Sequence, residues 1–91
     1  MIVSCARLAG EYVVNPRNED VGQIARIMIE VVSGRVAYAV VAGGGVFGIG
    51  ERHYAIPWQA FTIDAARRLV LAVDLTDFED APEGFLISDT M

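Results

Sequence analysis

The fold is decided by the stretch IARIMIEVVSGRVAYAVVA, residues 24–42. In its first half, Ala25, Ile27, Ile29 and Val31 alternate with the charged Arg26 and Glu30. A period of two is typical of a half-buried antiparallel strand, here expected over 21–32. Ser33-Gly34 follows as a hairpin turn, because glycine readily adopts a positive φ.

The returning strand is expected over 35–42. Val36, Tyr38 and Val40 should share one face, and Ala37, Ala39 and Val41 the other. Because both faces are apolar, we expect both to be at least partly covered.

Short strands separated by turns are expected outside this hairpin. The chain has 20 Val and Ile against five Leu, and β-branched residues favour strands. The further strands are predicted at 8–14, 52–56, 61–63 and 69–73, with turns at 15–18 and 64–68. Thr76 and Glu79 match a capping box that begins a short helical turn. The prediction is an all-β protein with minor α content, a single domain over 1–91 with its core at about 8–85.

Composition excludes several kinds of chemistry. The chain has no Lys, so neither a lysine-containing phosphate loop nor a lysine Schiff base can form. The only Cys is Cys5 and the only His is His53, too few for a usual zinc site or a disulfide within the chain. We therefore expect no catalytic residue, no metal site and no cofactor, and no enzyme activity.

Charge is divided unevenly along the chain. The net charge is -5; residues 1–68 carry seven Arg and six acids, whereas residues 69–91 carry six acids and no base. Such an acidic segment disfavours a nucleic-acid surface, because phosphates repel it. The alternative is that these acids only keep the protein in solution.

Apolar residues make up 54% of the chain, above the usual ~45–50%. A domain this small buries only roughly 60–65% of its unfolded surface. The excess predicts that some apolar surface meets another chain, most simply in a homodimer. The alternative is that small apolar residues raise the share without forming a patch.

No secretory signal is expected in the first residues, which lack a basic start and a long apolar run. The uncharged stretch 36–50 is too short and too rich in glycine to span a bilayer. The unpaired Cys5 fits a reducing cytoplasm, which is the predicted location. Association with the periphery of a membrane complex remains compatible with this prediction.

Gly43, Gly45 and Gly48 satisfy G-x-G-x-x-G, but Pro57 arrives before a crossover helix could form. A bend is the better interpretation, and a small-ligand site using the loop 43–50 with Arg52 and His53 stays an alternative. His53 should face away from the core, because it alternates with Tyr54 and Ile56. The possible interaction residues are Arg52, His53, Ala37 and Ala39.

The ordered motifs resemble those of the PRC-barrel family. They are Leu8-Ala9-Gly10, Asn15-Pro16, Val21-Gly22-Gln23-Ile24, Gly34-Arg35-Val36-Ala37-Tyr38-Ala39-Val40, Gly48-Ile49-Gly50, Tyr54-Ala55-Ile56-Pro57-Trp58 and Ala81-Pro82. The resemblance implies a small, mostly antiparallel β-barrel of about six strands. The signature residues are Gly22, Gly34, Tyr38, Gly48, Gly50, Pro57 and Trp58.

The resemblance also implies a role. The domain occurs in the H subunit of photosynthetic reaction centres and in a ribosome-maturation factor, where it is a non-catalytic docking module. We therefore expect a free-standing protein-interaction or assembly module whose protein partner is unknown. Association with photosynthetic or respiratory electron transport is the narrower alternative.

Overall fold

A computed structural model describes residues 2–43 and 52–82 of the 91-residue chain. Most of this part is β-structure, and helix is scarce. The elements are α1 (Cys5–Leu8), β1 (Tyr12–Val14), β2 (Asp20–Glu30), β3 (Arg35–Gly43), β4 (Arg52–Pro57), β5 (Phe61–Ile63) and β6 (Leu69–Leu71), with 3-10 turns at Trp58–Ala60 and Leu75–Asp77.

The six strands form one mixed sheet in the order β4-β3-β2-β1-β6-β5. Four neighbouring pairs are antiparallel, as predicted, but β1 and β6 pair in parallel, with Val13 opposite Leu69. More than 50 residues separate β1 from β6, and parallel neighbours need such a long connection. The local pattern of two three-residue strands carries no sign of this pairing.

The sheet is a half-barrel, because β4 and β5 stand at its two ends and are not paired with each other. The 3-10 turn at Trp58–Ala60 redirects the chain between them. The other edge of β4 is met by residues 79–81: the Ala55 amide donates to the Glu79 carbonyl and the Ala81 amide to the His53 carbonyl, both at 2.9 Å.

The predicted C-terminal helical turn is only the 3-10 turn Leu75–Asp77, so the capping-box prediction was wrong. Asp74 precedes this turn and makes no side-chain cap. Thr76, the expected cap, lies inside the turn, and the backbone is already extended at Phe78. The helical conformation thus ends before a box can form.

The predicted strand 8–14 is also shorter than expected. Leu8 ends α1, and Gly10 has φ +90°. The extended chain therefore starts only at Tyr12. The turn at 15–18 is confirmed: the side-chain oxygen of Asn15 accepts from the amides of Arg17 and Glu19, both at 3.0 Å.

The core takes side chains from all six strands and from the turn Leu75–Asp77. The alternate apolar residues of β4 and of β6 belong to it: Tyr54, Ile56, Leu69 and Leu71 are buried. The whole cluster is Val13, Ile24, Ala39, Val41, Tyr54, Ile56, Phe61, Leu69, Leu71 and Leu75. Trp58 is half-buried against this core, with its ring 5.6 Å from that of Phe61.

Two glycines leave room at the place where the chain returns over the core. A Cβ on Gly22 would lie 2.7 Å from Cγ1 of Val41 and 2.8 Å from the Ala42 carbonyl oxygen. A Cβ on Gly43 would lie 2.6 Å from the Val21 carbonyl oxygen and 2.8 Å from Cδ1 of Leu75. Gly43 is thus a buried residue of β3 rather than the start of a loop. The Leu75 side chain packs in the space that a side chain at position 43 would occupy.

We expect Gly22→Ala to destabilise the protein by about 1–3 kcal/mol, because the added methyl meets a backbone carbonyl that cannot move without shifting β3. Equilibrium urea unfolding followed by circular dichroism measures this. Gly34→Ala is the matched control: it meets no atom within 4 Å and has φ +76°.

The control should lose only about 1 kcal/mol, for its left-handed backbone, and Gly34→Asn should lose less. A Gly22→Ala variant with the urea midpoint of the wild type would contradict the close approach of β2 and β3.

Candidate interaction surface

The end of the β2–β3 hairpin carries large apolar side chains in solvent. Val31 and Val32 are 84% and 91% exposed, and Ile29 on β2 is 46% exposed. We call these three residues the hairpin patch. Turn residues are usually polar, so two adjacent valines are unusual there. Because both are exposed, they have no role in the core of this chain.

The turn that holds this patch is braced by its own hydrogen bonds. The Ser33 amide donates to Oε1 of Glu30 at 2.7 Å, and the Gly34 amide donates to the Glu30 carbonyl at 2.8 Å. Gly34 has the positive φ predicted from the sequence. The turn, however, spans the four residues 31–34 instead of Ser33-Gly34 alone, since Glu30 still pairs with Arg35. The valines are therefore presented on a fixed backbone.

The Glu30 carboxylate is matched to this turn. Backbone hydrogen bonding from Ser33, and to a lesser degree from Val32, lowers its pKa below the ordinary value. Amide donors favour the charged form of a carboxyl group. Because the folded-state pKa lies below that of the unfolded chain, this contribution is present above the unfolded pKa and is lost as the pH falls through the folded pKa.

We expect the Glu30 carboxyl to titrate below the ordinary pKa of a Glu side chain when its side-chain carbon is followed by NMR. Glu30→Gln should unfold more easily than the wild type at pH 7, and the difference should shrink as the pH falls from about 5 to 3. A difference that stays constant over this range would show that the charged carboxylate does not brace the turn.

Two bulges change the alternation that the sequence predicts. Ala25 on β2 and Ala37 on β3 each lack a partner in the ladder, and the register shifts at both places. Ala37 is exposed, whereas Ala39 is 0% exposed and belongs to the core. The prediction that Ala37 and Ala39 share an interaction face is therefore corrected, because an extra residue in a strand breaks the period of two.

The bulge at Ala25 also changes which residues of β2 are buried. Ile24 is buried and Ala25 is exposed, so the apolar series Ala25, Ile27, Ile29 does not form one buried face. Beyond the second bulge the hairpin leaves the core, and Ile29 becomes partly exposed. On β3, by contrast, Ala39, Val40 and Val41 are all buried, which confirms that both of its faces are covered over this segment.

The other two predicted interaction residues lie on β4. His53 is exposed and pairs across the ladder with Ala42, while the neighbouring Tyr54 is buried. Arg52 donates to Oδ2 of Asp80 at 2.6 Å, and both side chains are about 60% exposed. The Asp80 carboxylate raises the pKa of Arg52 through this hydrogen bond and its charge. An exposed pair of this kind adds little to stability, but it ties residues 79–81 to β4.

The structure does not bring the predicted residues into one site. Arg52 is engaged by Asp80, Ala39 is in the core, and Ala37 is on the hairpin. The signature residue Tyr38 is half-buried and pairs with Pro57, next to the Trp58 turn. Gly48 and Gly50, with the rest of the predicted loop after Gly43, lie outside the described residues.

Sequence reasoning missed the hairpin patch. Its signal was present in Val31-Val32 directly before Ser33-Gly34, a pair of β-branched residues at a turn. The predicted strand 21–32 included both valines, so their place in the turn was not recognised. In residues 2–43 and 52–82, no three His, Cys, Asp or Glu side chains come together as metal ligands. No helix in the same residues is long and apolar enough to cross a membrane.

The match to known families agrees with this architecture. The family model described as the PRC-barrel domain matches residues 2–79 of the 91-residue chain. The chain belongs to the PRC-barrel family. None of the curated proteins matches it. The PRC-barrel match includes the hairpin patch, the glycine pair Gly22 and Gly43, and the strands on either side.

Proposed function

We propose that this PRC-barrel protein is a non-catalytic protein-interaction module that forms a homodimer through its hairpin patch. The observation that carries the proposal is the pair Val31 and Val32, held almost fully in solvent on a braced turn. Burying such side chains against a second surface is favourable at about 25 cal/mol per Å² of apolar area. A braced turn loses little further freedom when it binds.

The neighbouring surface can extend the contact. A stable interface takes about 800 Å² from each partner, roughly an eighth of the 6665 Å² surface. The hairpin patch alone is too small, so the interface must include flanking residues such as the exposed Ala37 and the half-buried Met28 and Tyr38. In a twofold dimer the same patch meets itself, which suits aliphatic side chains better than charged ones.

The placement of the reactive side chains supports a non-catalytic role. Cys5 is exposed on α1, and His53 is exposed on β4. Neither shares a side-chain hydrogen bond with another titratable group within the described residues, whereas a general base is held by a positioned partner. The electron-transport association, the acidic segment's exclusion of nucleic acid and the cytoplasmic location stay predictions.

We expect the wild type to run as a dimer in size-exclusion chromatography with light scattering at about 100 μM. Val31→Asp with Val32→Asp should give a monomer, because two carboxylates cannot be desolvated against their symmetric copies. The unfolding temperature should stay within about 2 °C of the wild type, corrected for the lost dimer, since exposed substitutions cost little.

Val73→Asp is the matched control. Val73 is 48% exposed after β6, and its substitution adds one carboxylate away from the hairpin. It should leave the dimer intact. A wild type that is monomeric at 100 μM, or a dimer that survives Val31→Asp with Val32→Asp, would overturn the proposed interface.

A further inference from the structure

Arg67 has a left-handed backbone conformation of the kind that glycine usually adopts. The turn between β5 and β6 is a three-residue hairpin loop, closed by the Arg67 amide donating to the Asp64 carbonyl at 2.9 Å and the Asp64 amide donating to the Arg68 carbonyl at 3.1 Å. The third residue of such a loop is left-handed and is normally glycine. Arg67 has φ +64°.

The other left-handed positions follow the usual preference. Gly10, Gly34 and Asn18 are the remaining residues with positive φ in the described chain. Glycine has no Cβ to clash, and asparagine tolerates this region better than most residues. Arg67 is the exception, so its side chain is kept at a conformational cost, and such outliers cluster where a side chain has a task.

Holding the turn is not that task. The neighbouring Arg68 does this: its Nε donates to Oδ2 of Asp64 at 3.0 Å, and its side chain also contacts that of Asn18. Amide donation from Arg68 also lowers the pKa of Asp64. Among the described residues, Arg67 makes no side-chain hydrogen bond or ion pair, and neither does Arg7.

Arg67 and Arg7 border one surface groove of about 350 Å³. Its apolar lining includes Val3, Leu8, Ile63 and Leu69. Glu11 is the only acid in the lining, so the groove has a net positive charge in a protein whose net charge is -5. We call it the arginine groove.

We propose that the arginine groove binds a short extended peptide segment of a partner protein, in which apolar side chains are flanked by carboxylates. Apolar side chains would contact Ile63 and Leu69, and the carboxylates would accept hydrogen bonds from Arg7 and Arg67. Guanidinium groups suit this role because they bind carboxylates through two parallel hydrogen bonds.

A peptide fits better than a small amphiphile. The groove is open to solvent, with Ile2 beside it fully exposed, whereas small-molecule sites enclose most of their ligand. The lining of the groove comes from α1, from β5 and β6 and from the turn between them, so that apolar and cationic side chains lie next to each other. The groove therefore offers several separate side-chain contacts, which an extended polypeptide can occupy together.

This inference rests on the proposed interaction role but not on the hairpin patch. The two surfaces share no residue, so Val31→Asp with Val32→Asp should bind the peptide as the wild type does. Loss of the dimer and loss of the peptide site are thus separate results.

The test uses a fluorescein-labelled octapeptide in which two leucines and a phenylalanine are flanked by aspartates. Its binding to the full chain is followed by fluorescence anisotropy. The wild type should bind it, and the same peptide with lysines for aspartates should not bind. Arg67→Gly should weaken binding about threefold to fivefold, and Arg7→Gln with Arg67→Gly by roughly tenfold or more.

Arg17→Gln is the charge-matched control. Arg17 lies in the 15–18 turn and does not line the groove. This variant should bind like the wild type. Arg67→Gly should also keep its Tm or raise it by up to about 5 °C, because glycine relieves the left-handed backbone.

Three results would overturn the proposal. Equal affinity of the wild type and Arg67→Gly would remove Arg67 from the site. A Tm of Arg67→Gly lowered by several degrees would show that the arginine is there for stability. Sedimentation of the wild type with phosphatidylserine vesicles, without peptide binding, would assign the groove to a lipid surface.

Discussion

The close approach of β2 and β3 at Gly22 and Gly43 is the constraint on which the rest of the structure depends. The missing side chain of Gly22 lets β2 lie against Val41 and Ala42, and the missing side chain of Gly43 leaves the space in which Leu75 joins the core. That contact carries the chain from β6 back toward β4, where residues 79–81 add their backbone to the sheet edge. Protein interiors are close-packed, so an extra methyl group at such a contact is felt.

The surface follows from how the hairpin leaves this core. From Ala39 to Val41 both faces of β3 are covered. On the turn side of the bulge at Ala37, the hairpin projects with Ile29, Val31 and Val32 partly or almost wholly in solvent. Two adjacent valines are thereby exposed on a turn that Glu30 braces. The arginine groove has a comparable feature, since Arg67 adopts a left-handed backbone conformation that glycine would adopt at lower cost. In both places a local rule of stability is broken on a rigid element, and such conflicts are expected at surfaces that bind.

Strand existence was predictable because periodicity and turn residues act locally. All six predicted strands are present, although β1 and β6 are shorter than their predicted spans, and the turns at Asn15 and Gly34 follow from the preferences of those residues. The bulges at Ala25 and Ala37 were not predictable, since an alanine fits either a paired or an unpaired position. They break the period of two, so that Ala37 is exposed although Ala39, two residues further along β3, is buried.

The sequence by itself determined a lysine-free, single-cysteine chain rich in β-branched residues, and with it a small β protein of the PRC-barrel family. These properties depend on residue type and on spacing along the chain. The tertiary structure alone decided the parallel β1–β6 pair, the return of residues 79–81 to β4, and the placement of Arg7 and Arg67 at one groove. Each brings together residues that are far apart in sequence. Their proximity is set by the packing of the whole core, which no local pattern encodes.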